Sequence, residues 1–271
     1  MHAPVISQLL ACDVQHDGHM HRYLFDDNTV RYVKVMTGPQ NHHFHNHSLP
    51  PIPAENWNLA TIDVDTKTGQ PAFQSAVIQH LDRVESISTK NWDPPSIDHL
   101  DLQLYQGRNS SGRFATYRDS PCDIFGCPIV VKIARFDHEI PDIQLECDIY
   151  KKILGKGIGP KFLAFVTEGD RKIGFVLKKT EGARRPRPRD YKKCKRVLNK
   201  LHRLGFLHQD CHHGNVLVKN GRVILVDFKS ATDINDENVA DGRRQDFATL
   251  RAACGMPGWT KLDEIEAGAG I

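Results

Sequence analysis

Long apolar runs are missing from this 271-residue chain. Ile129–Ile133 and Val223–Val226 fall far short of the roughly 20 residues a membrane-spanning helix needs. Paired cysteines are missing too: the seven cysteines are odd in number, scattered, and never arranged as CxxC. That pattern argues against a disulfide framework and fits a reducing compartment. A strong overall charge is also lacking, with 36 Lys and Arg against 33 Asp and Glu, a net +3. Met1–Ala11 carries no basic n-region and no clear cleavage site. A secretory leader is therefore not expected, and an intracellular location, cytoplasmic or nuclear, is. There is no internal repeat.

What charge there is lies unevenly. Residues 184–196, RRPRPRDYKKCKR, hold eight Lys or Arg and one Asp, a local +7, and the rest of the chain is −4. This stripe reads either as a solvated linker running into a helix face or as a site for an acidic partner, RNA or an import receptor. No aromatics are interleaved to stack bases.

Turn signals and apolar periodicity divide the chain. Tyr23–Phe25, Asp26-Asp27-Asn28 and Thr29–Val35 read as strand, turn and strand. The tract 41–53, with His42, His43, His45 and His47, reads as an irregular linker; the histidines alone make an incomplete zinc set. Val77, Ile78, Leu81 and Val84 predict a helix within 72–90. Downstream, strands are expected over His99–Gln106, Arg113–Arg118, Pro128–Ala134, Phe162–Val166 and Lys172–Leu177. Helices are expected over Ile143–Leu154, Tyr191–Leu204 and Asp246–Cys254, with Asp142 as N-cap or first-turn acid and Gly155 and Gly205 as stops. Asn220-Gly221 predicts a hairpin between Val216–Val218 and Val223–Val226. Strands mostly first and helices mostly later indicate an α+β class in two lobes.

Five polar residues sit where packing alone would not place them. Lys132 interrupts the apolar run PIVVKIA, and a lysine in a buried strand needs a partner. Glu146, on the face of Ile143, Cys147 and Tyr150, is a suitable one. Asp210 follows a helix in a loop, Asn215 precedes a strand, and Asp227 ends one. A lysine for phosphates, two oxygen ligands suited to Mg²⁺, and a carboxylate to take a hydroxyl proton form a set suited to phosphoryl transfer.

This set resembles the protein-kinase-like superfamily. Lys132 in VVKIA resembles the third-strand lysine and Glu146 its helix partner. LHRLGFLHQDCHHGNVLV resembles the catalytic loop, with His208-Gln209-Asp210, four residues, then Asn215. Asp227-Phe228-Lys229 resembles the metal-binding Asp-Phe-Gly. Together with LPPIPAENWN, IVVKIARF, GPKFLAFV and GFVLKK, the chain also resembles small kinase-like proteins of filamentous fungi. The resemblance implies a bilobal kinase-like fold: an N-terminal extension at 1–97, an N-lobe at 98–178 and a minimal C-lobe at 179–271. It implies ATP and Mg²⁺ as cofactors and a hydroxyl acceptor on a small molecule or a protein. Lys132, held by Glu146, would bind phosphates, Asp210 would act as base, and Asn215 and Asp227 would hold Mg²⁺. Gly107 and Gly112 would cover phosphates, and Val176 and Lys178 would border the adenine.

The departures shape the expectation. Gly107–Gly112 stands in place of GxGxxG, Gln209 in place of the usual arginine, His212 in place of a catalytic lysine, and Lys229 in place of a glycine. Only 44 residues follow Asp227, which leaves little room for a peptide-binding platform. Asp246 resembles the buried helix aspartate that braces the catalytic loop. The alternatives are a catalytically weak nucleotide-binding scaffold (a pseudokinase) or an ATPase on the same fold. Cys211, beside Asp210, is expected to pack rather than to attack.

Overall fold

A computed structural model describes residues 4–36, 49–84, 93–102, 105–106, 115–118, 126–235, 237 and 239–257. Contacts divide the chain into two compact units: Met1–Arg83 with Arg135–Asp137, and Val84–Ala134 with His138–Ile271. The division falls at Arg83/Val84, upstream of the boundary expected after Ile97.

The first unit is a five-stranded sheet in the order β1-β2-β3-β4-β5: Ile6–Gln15, Gly18–Phe25, Val30–Met36, Leu59–Val64 and Pro71–Val77. The expected strand–turn–strand is β2 and β3. Asn28 sits at φ +59° in the turn, a conformation that asparagine tolerates better than most residues. Of the helix expected within 72–90, the described residues 72–84 form none: Pro71–Val77 pairs antiparallel with β4 as an edge strand, and 85–90 lie outside the described residues. Val77 and Ile78 are exposed, so their helical spacing marks no buried face. The core of this unit is Tyr23, Phe25, Val33, Val35, Trp57, Ala60 and Ile62. The Arg31 guanidinium lies 4.8 Å from the Phe25 ring centroid and 5.0 Å from that of Trp57, held there by Asp27 at 2.7 Å.

The second unit is mixed α and β. Its main sheet runs β6-β10-β11-β9-β8-β7, with β6 Ser96–Asp98, β7 Tyr105–Gln106, β8 Ala115–Arg118, β9 Ile129–Ile133, β10 Phe162–Glu168 and β11 Arg171–Lys178. The strand expected over His99–Gln106 is interrupted. The Asp98 carboxylate accepts from Leu100 N–H and winds His99–Asp101 into a 3-10 turn. Helix α1 (Ile140–Lys152) begins earlier than expected because Pro141 suits a first turn; Asp142 is a first-turn acid, not the cap. Beyond it come α2 (Tyr191–Arg203), β12 (Phe206–Leu207), the hairpin β13 (Val216–Lys219) and β14 (Arg222–Leu225), β15 (Thr232–Asp233) and α3 (Val239–Ala253). The hairpin turn is the expected Asn220-Gly221, both at positive φ.

Alternation along β9 and β11 sorts the second unit's two cores. Val131, Ile133 and Val176 pack on one side of the sheet with Ile97 and Val166, and Ile173, skipped where the β10–β11 register shifts, joins them out of phase. Phe175 and Leu177 face the other way, into a core with Ile149, Tyr150, Leu198, Leu201 and Phe228. Helix α1 packs against this sheet at β11, while α2 and α3 pack on each other and on β12, with α2 also on β14. No described helix is long and apolar enough to cross a membrane.

Candidate functional site

Lys132 lies in the middle of β9, where Val131 and Ile133 send their side chains into the opposite core. Its ammonium is buried among acids: Nζ donates to both Glu146 carboxylate oxygens at 2.7 Å and to Asp227 Oδ1 at 2.8 Å. Glu146 is buried on α1 beside Ile143, Cys147 and Tyr150. Its second oxygen also accepts from Phe228 N–H at 3.3 Å. One buried carboxylate therefore ties together the sheet, α1 and the segment after β14.

Electrostatics set the charge states. Burial alone would lower the Lys132 ammonium; Glu146 and Asp227 outweigh it and hold the group above its ordinary value. Burial lifts the Glu146 carboxyl above its usual range, with Lys132 opposing. Burial would lift Asp227 as well, and there Lys132 wins, so Asp227 is held below its ordinary value. Asp227 is the more exposed of the two acids, with its side chain 34% exposed against 1% for Glu146. It is the anion open to an incoming group.

Two residues here have left-handed backbone: Gln209 at φ +62° and Asp227 at φ +63°. Such non-glycine conformations persist where surrounding contacts over-determine them, and they cluster at functional sites. The contacts are visible. Val226 N–H donates to Asn215 O at 3.0 Å just before Asp227. Around Gln209, the Asp246 carboxylate on α3 accepts from His208 N–H at 2.8 Å and Gln209 N–H at 2.7 Å, and it bonds His202 Nε2 of α2 at 2.8 Å. Asp246 braces the loop in the manner expected of it.

Within that loop Asn215 Nδ2 donates to the Asp210 carbonyl and to Asp210 Oδ2, both at 3.0 Å. Both amide hydrogens face Asp210, which leaves Asn215 Oδ1 as an acceptor. His212 lies 3.8 Å from Asp210 Oδ2, and its Nδ1 accepts from Gly214 N–H at 2.8 Å. A Cβ on Gly214 would sit 2.6 Å from His212 Cε1, so a larger residue there would push the His212 ring out of its present position.

Below the site runs a column of rings: Phe175, Tyr150, Phe228 and His208, with successive centroids 5.4, 5.3 and 5.2 Å apart. Phe228 and His208 are fully buried. Burial lowers the His208 imidazole, so this ring packs as a neutral side chain. Cys211 is also fully buried, and its thiol is pushed well up by burial; it packs rather than attacks.

Lys132, Glu146 and Asp227 come together directly, and Asp210 and Asn215 bond each other. Val176 is buried in the core opposite Val131, so it offers no free surface, and Lys178 is the exposed end of β11. Gly107, Gly112, Cys122 and the histidines at 42–47 lie outside the described residues. The His202–Asp246 bond and the ring column are additions. A tyrosine one turn after Glu146 hinted at the column; nothing in linear spacing links His202 to Asp246.

The residues suit a hard divalent cation. Asp227 keeps one carboxylate oxygen beyond the one held by Lys132, and Asn215 keeps its amide oxygen. No protein-family model matches the chain, and no curated protein matches it.

Proposed function

We propose that the chain is an ATP- and Mg²⁺-dependent phosphotransferase on a bilobal kinase-like fold, acting on a hydroxyl of a small-molecule or protein acceptor. The observation that carries this reading is the Lys132 ammonium held by buried Glu146 while also touching the more exposed Asp227. A structural ion pair needs one carboxylate; a second, partly open one makes a charged site able to exchange partners. Lys132 would turn from Asp227 toward phosphate oxygens, with Glu146 fixing its position. Asp227 and Asn215 would hold Mg²⁺, which supplies neutralisation of phosphate charge.

Asp210 is fixed by Asn215 through one oxygen, and its other oxygen is available to the acceptor hydroxyl. In the transfer the hydroxyl oxygen bonds to the terminal phosphorus, the bond to the bridging oxygen breaks, ADP leaves, and the proton passes to Asp210. In a γ-phosphate release assay with water as acceptor, Asp210→Asn should lose about 10²–10⁴-fold in turnover while still binding a fluorescent ATP analogue. Unchanged turnover would remove Asp210 from the reaction.

One observation favours the scaffold alternative. The positive charge of Lys229, two residues after Asp227, helps hold that carboxylate low and would compete with a cation there. Nucleotide binding by wild type with no phosphate release would decide for that reading.

A further inference from the structure

Asp190 is the one acid in the basic stripe, and it is already spent within the fold. Arg184 grips it through two bonds of 2.6 and 3.0 Å, and Arg187 N–H donates to it at 2.9 Å. The Arg184 hydrogen bond pulls its carboxyl down to about 2. Arg184 is itself pinned by paired backbone bonds with Val218, at 3.0 and 2.8 Å. The extended stretch 184–190 is therefore fastened at both ends.

What remains is cationic and outward-facing. Along the extended stretch Arg185 and Arg187 are exposed while Pro186 between them is buried, and Arg189 follows on the exposed side. On α2, Lys192, Arg196 and Lys200 recur every four residues and are all exposed, opposite buried Cys194, Leu198 and Leu201. Among the described residues no close ion pair is formed by any of these six, and only Arg189 adds its charge to the field around Asp190. The α2 part alone, Lys192 to Lys200, is about 12 Å long.

We infer that this face binds the phosphate backbone of a nucleic acid, independently of sequence. Four features select that partner. The one acid within the row, Asp190, is neutralised by Arg184, so the row presents a single sign of charge, as a uniformly charged polymer requires. Its extended half is arginine, whose planar fork matches phosphate oxygens. No large exposed hydrophobic side chain lies within it to anchor a protein interface or to enter a bilayer. No aromatic platform is present to read or stack bases. The inference stands apart from the phosphotransferase reading, since it needs no nucleotide cofactor and is measured without one.

The test is fluorescence anisotropy of a labelled 20-nucleotide single-stranded RNA against the full chain, from 25 to 300 mM salt. Six phosphates neutralised predict a slope of log K against log salt of about −4. Replacing three cations at a time, Arg185→Ser with Arg187→Ser and Arg189→Ser, or Lys192→Gln with Arg196→Gln and Lys200→Gln, should lower affinity at low salt by tenfold or more. Each triple should halve the slope to about −2. A control triple of equal charge change, Lys152→Gln with Lys156→Gln and Lys161→Gln, should leave both unchanged. All these positions are exposed, and retained melting temperatures would confirm folding.

Three results would overturn the inference: no RNA binding at 25 mM salt, equal loss in the control triple, or tenfold tighter binding to polyglutamate or to phosphatidylserine vesicles than to RNA.

Discussion

At the scale of single residues, the Lys132–Glu146 pair is where burial and charge most directly oppose each other. Removing one partner of a buried pair leaves an uncompensated charge, whereas replacing both with apolar residues costs little. Glu146→Ala should therefore destabilise the fold by about 3 kcal/mol, and the double variant Lys132→Met/Glu146→Leu should recover most of that loss. Urea melts of the two variants check this. A double variant as unstable as the single one would mean that the pair is worth more to the fold than hydrophobic packing in its place.

Asp190 tests the stripe at the same scale. Its carboxyl is held down to about 2 from 3.8, so its stabilising contribution is complete above pH 4 and fades as the pH falls toward 2. Asp190→Asn should then cost about 1 kcal/mol at pH 6 and clearly less at pH 3. An equal gap at both values would contradict the ion-pair account.

Between elements, the brace from α3 carries the argument. The Asp246 carboxylate gathers two backbone amides of the loop before Asp210 and the imidazole of His202 from α2. Asp246→Ala leaves those buried donors unsatisfied, which should cost about 2–3 kcal/mol. Amide exchange at His208 and Gln209 should speed up more than in β10 and β11. Uniform acceleration would instead indicate a global loss of stability without local bracing.

This scale also separates what the chain's residues announce from what they conceal. Asn28 and Asn220-Gly221 announce their turns because few residues accept positive φ, and PIVVKIA announces its strand by its apolar run. Lys132 and Glu146 were legible as partners because each is polar on an apolar face. The apparent helix within 72–90 failed over the described 72–84 because helical spacing is only a local pattern, whereas pairing with β4 is a tertiary contact that overrides it. The bond between His202 and Asp246 joins residues 44 apart, and the left-handed turns at Gln209 and Asp227 involve residue types that carry no glycine-like signal.

For the whole molecule, the two units hold separate cores, and every residue assigned to the proposed site belongs to the second. ATP with Mg²⁺ should accordingly protect amides in β9, α1 and the loop from His208 to Phe228, and leave exchange in β1–β5 unchanged. Equal protection across both units would place the nucleotide elsewhere.

The measurement that tests the central claim most directly is the melting temperature of the wild-type chain with ATP, with and without Mg²⁺, beside Lys132→Met and Asp227→Asn. Ligand at 100 times its dissociation constant stabilises by about 2.7 kcal/mol, which for a chain this size is roughly 5–10 °C. The account predicts a shift of that order that needs Mg²⁺ and is lost in both variants. A shift of the same size in either variant, or none in the wild type, would contradict it.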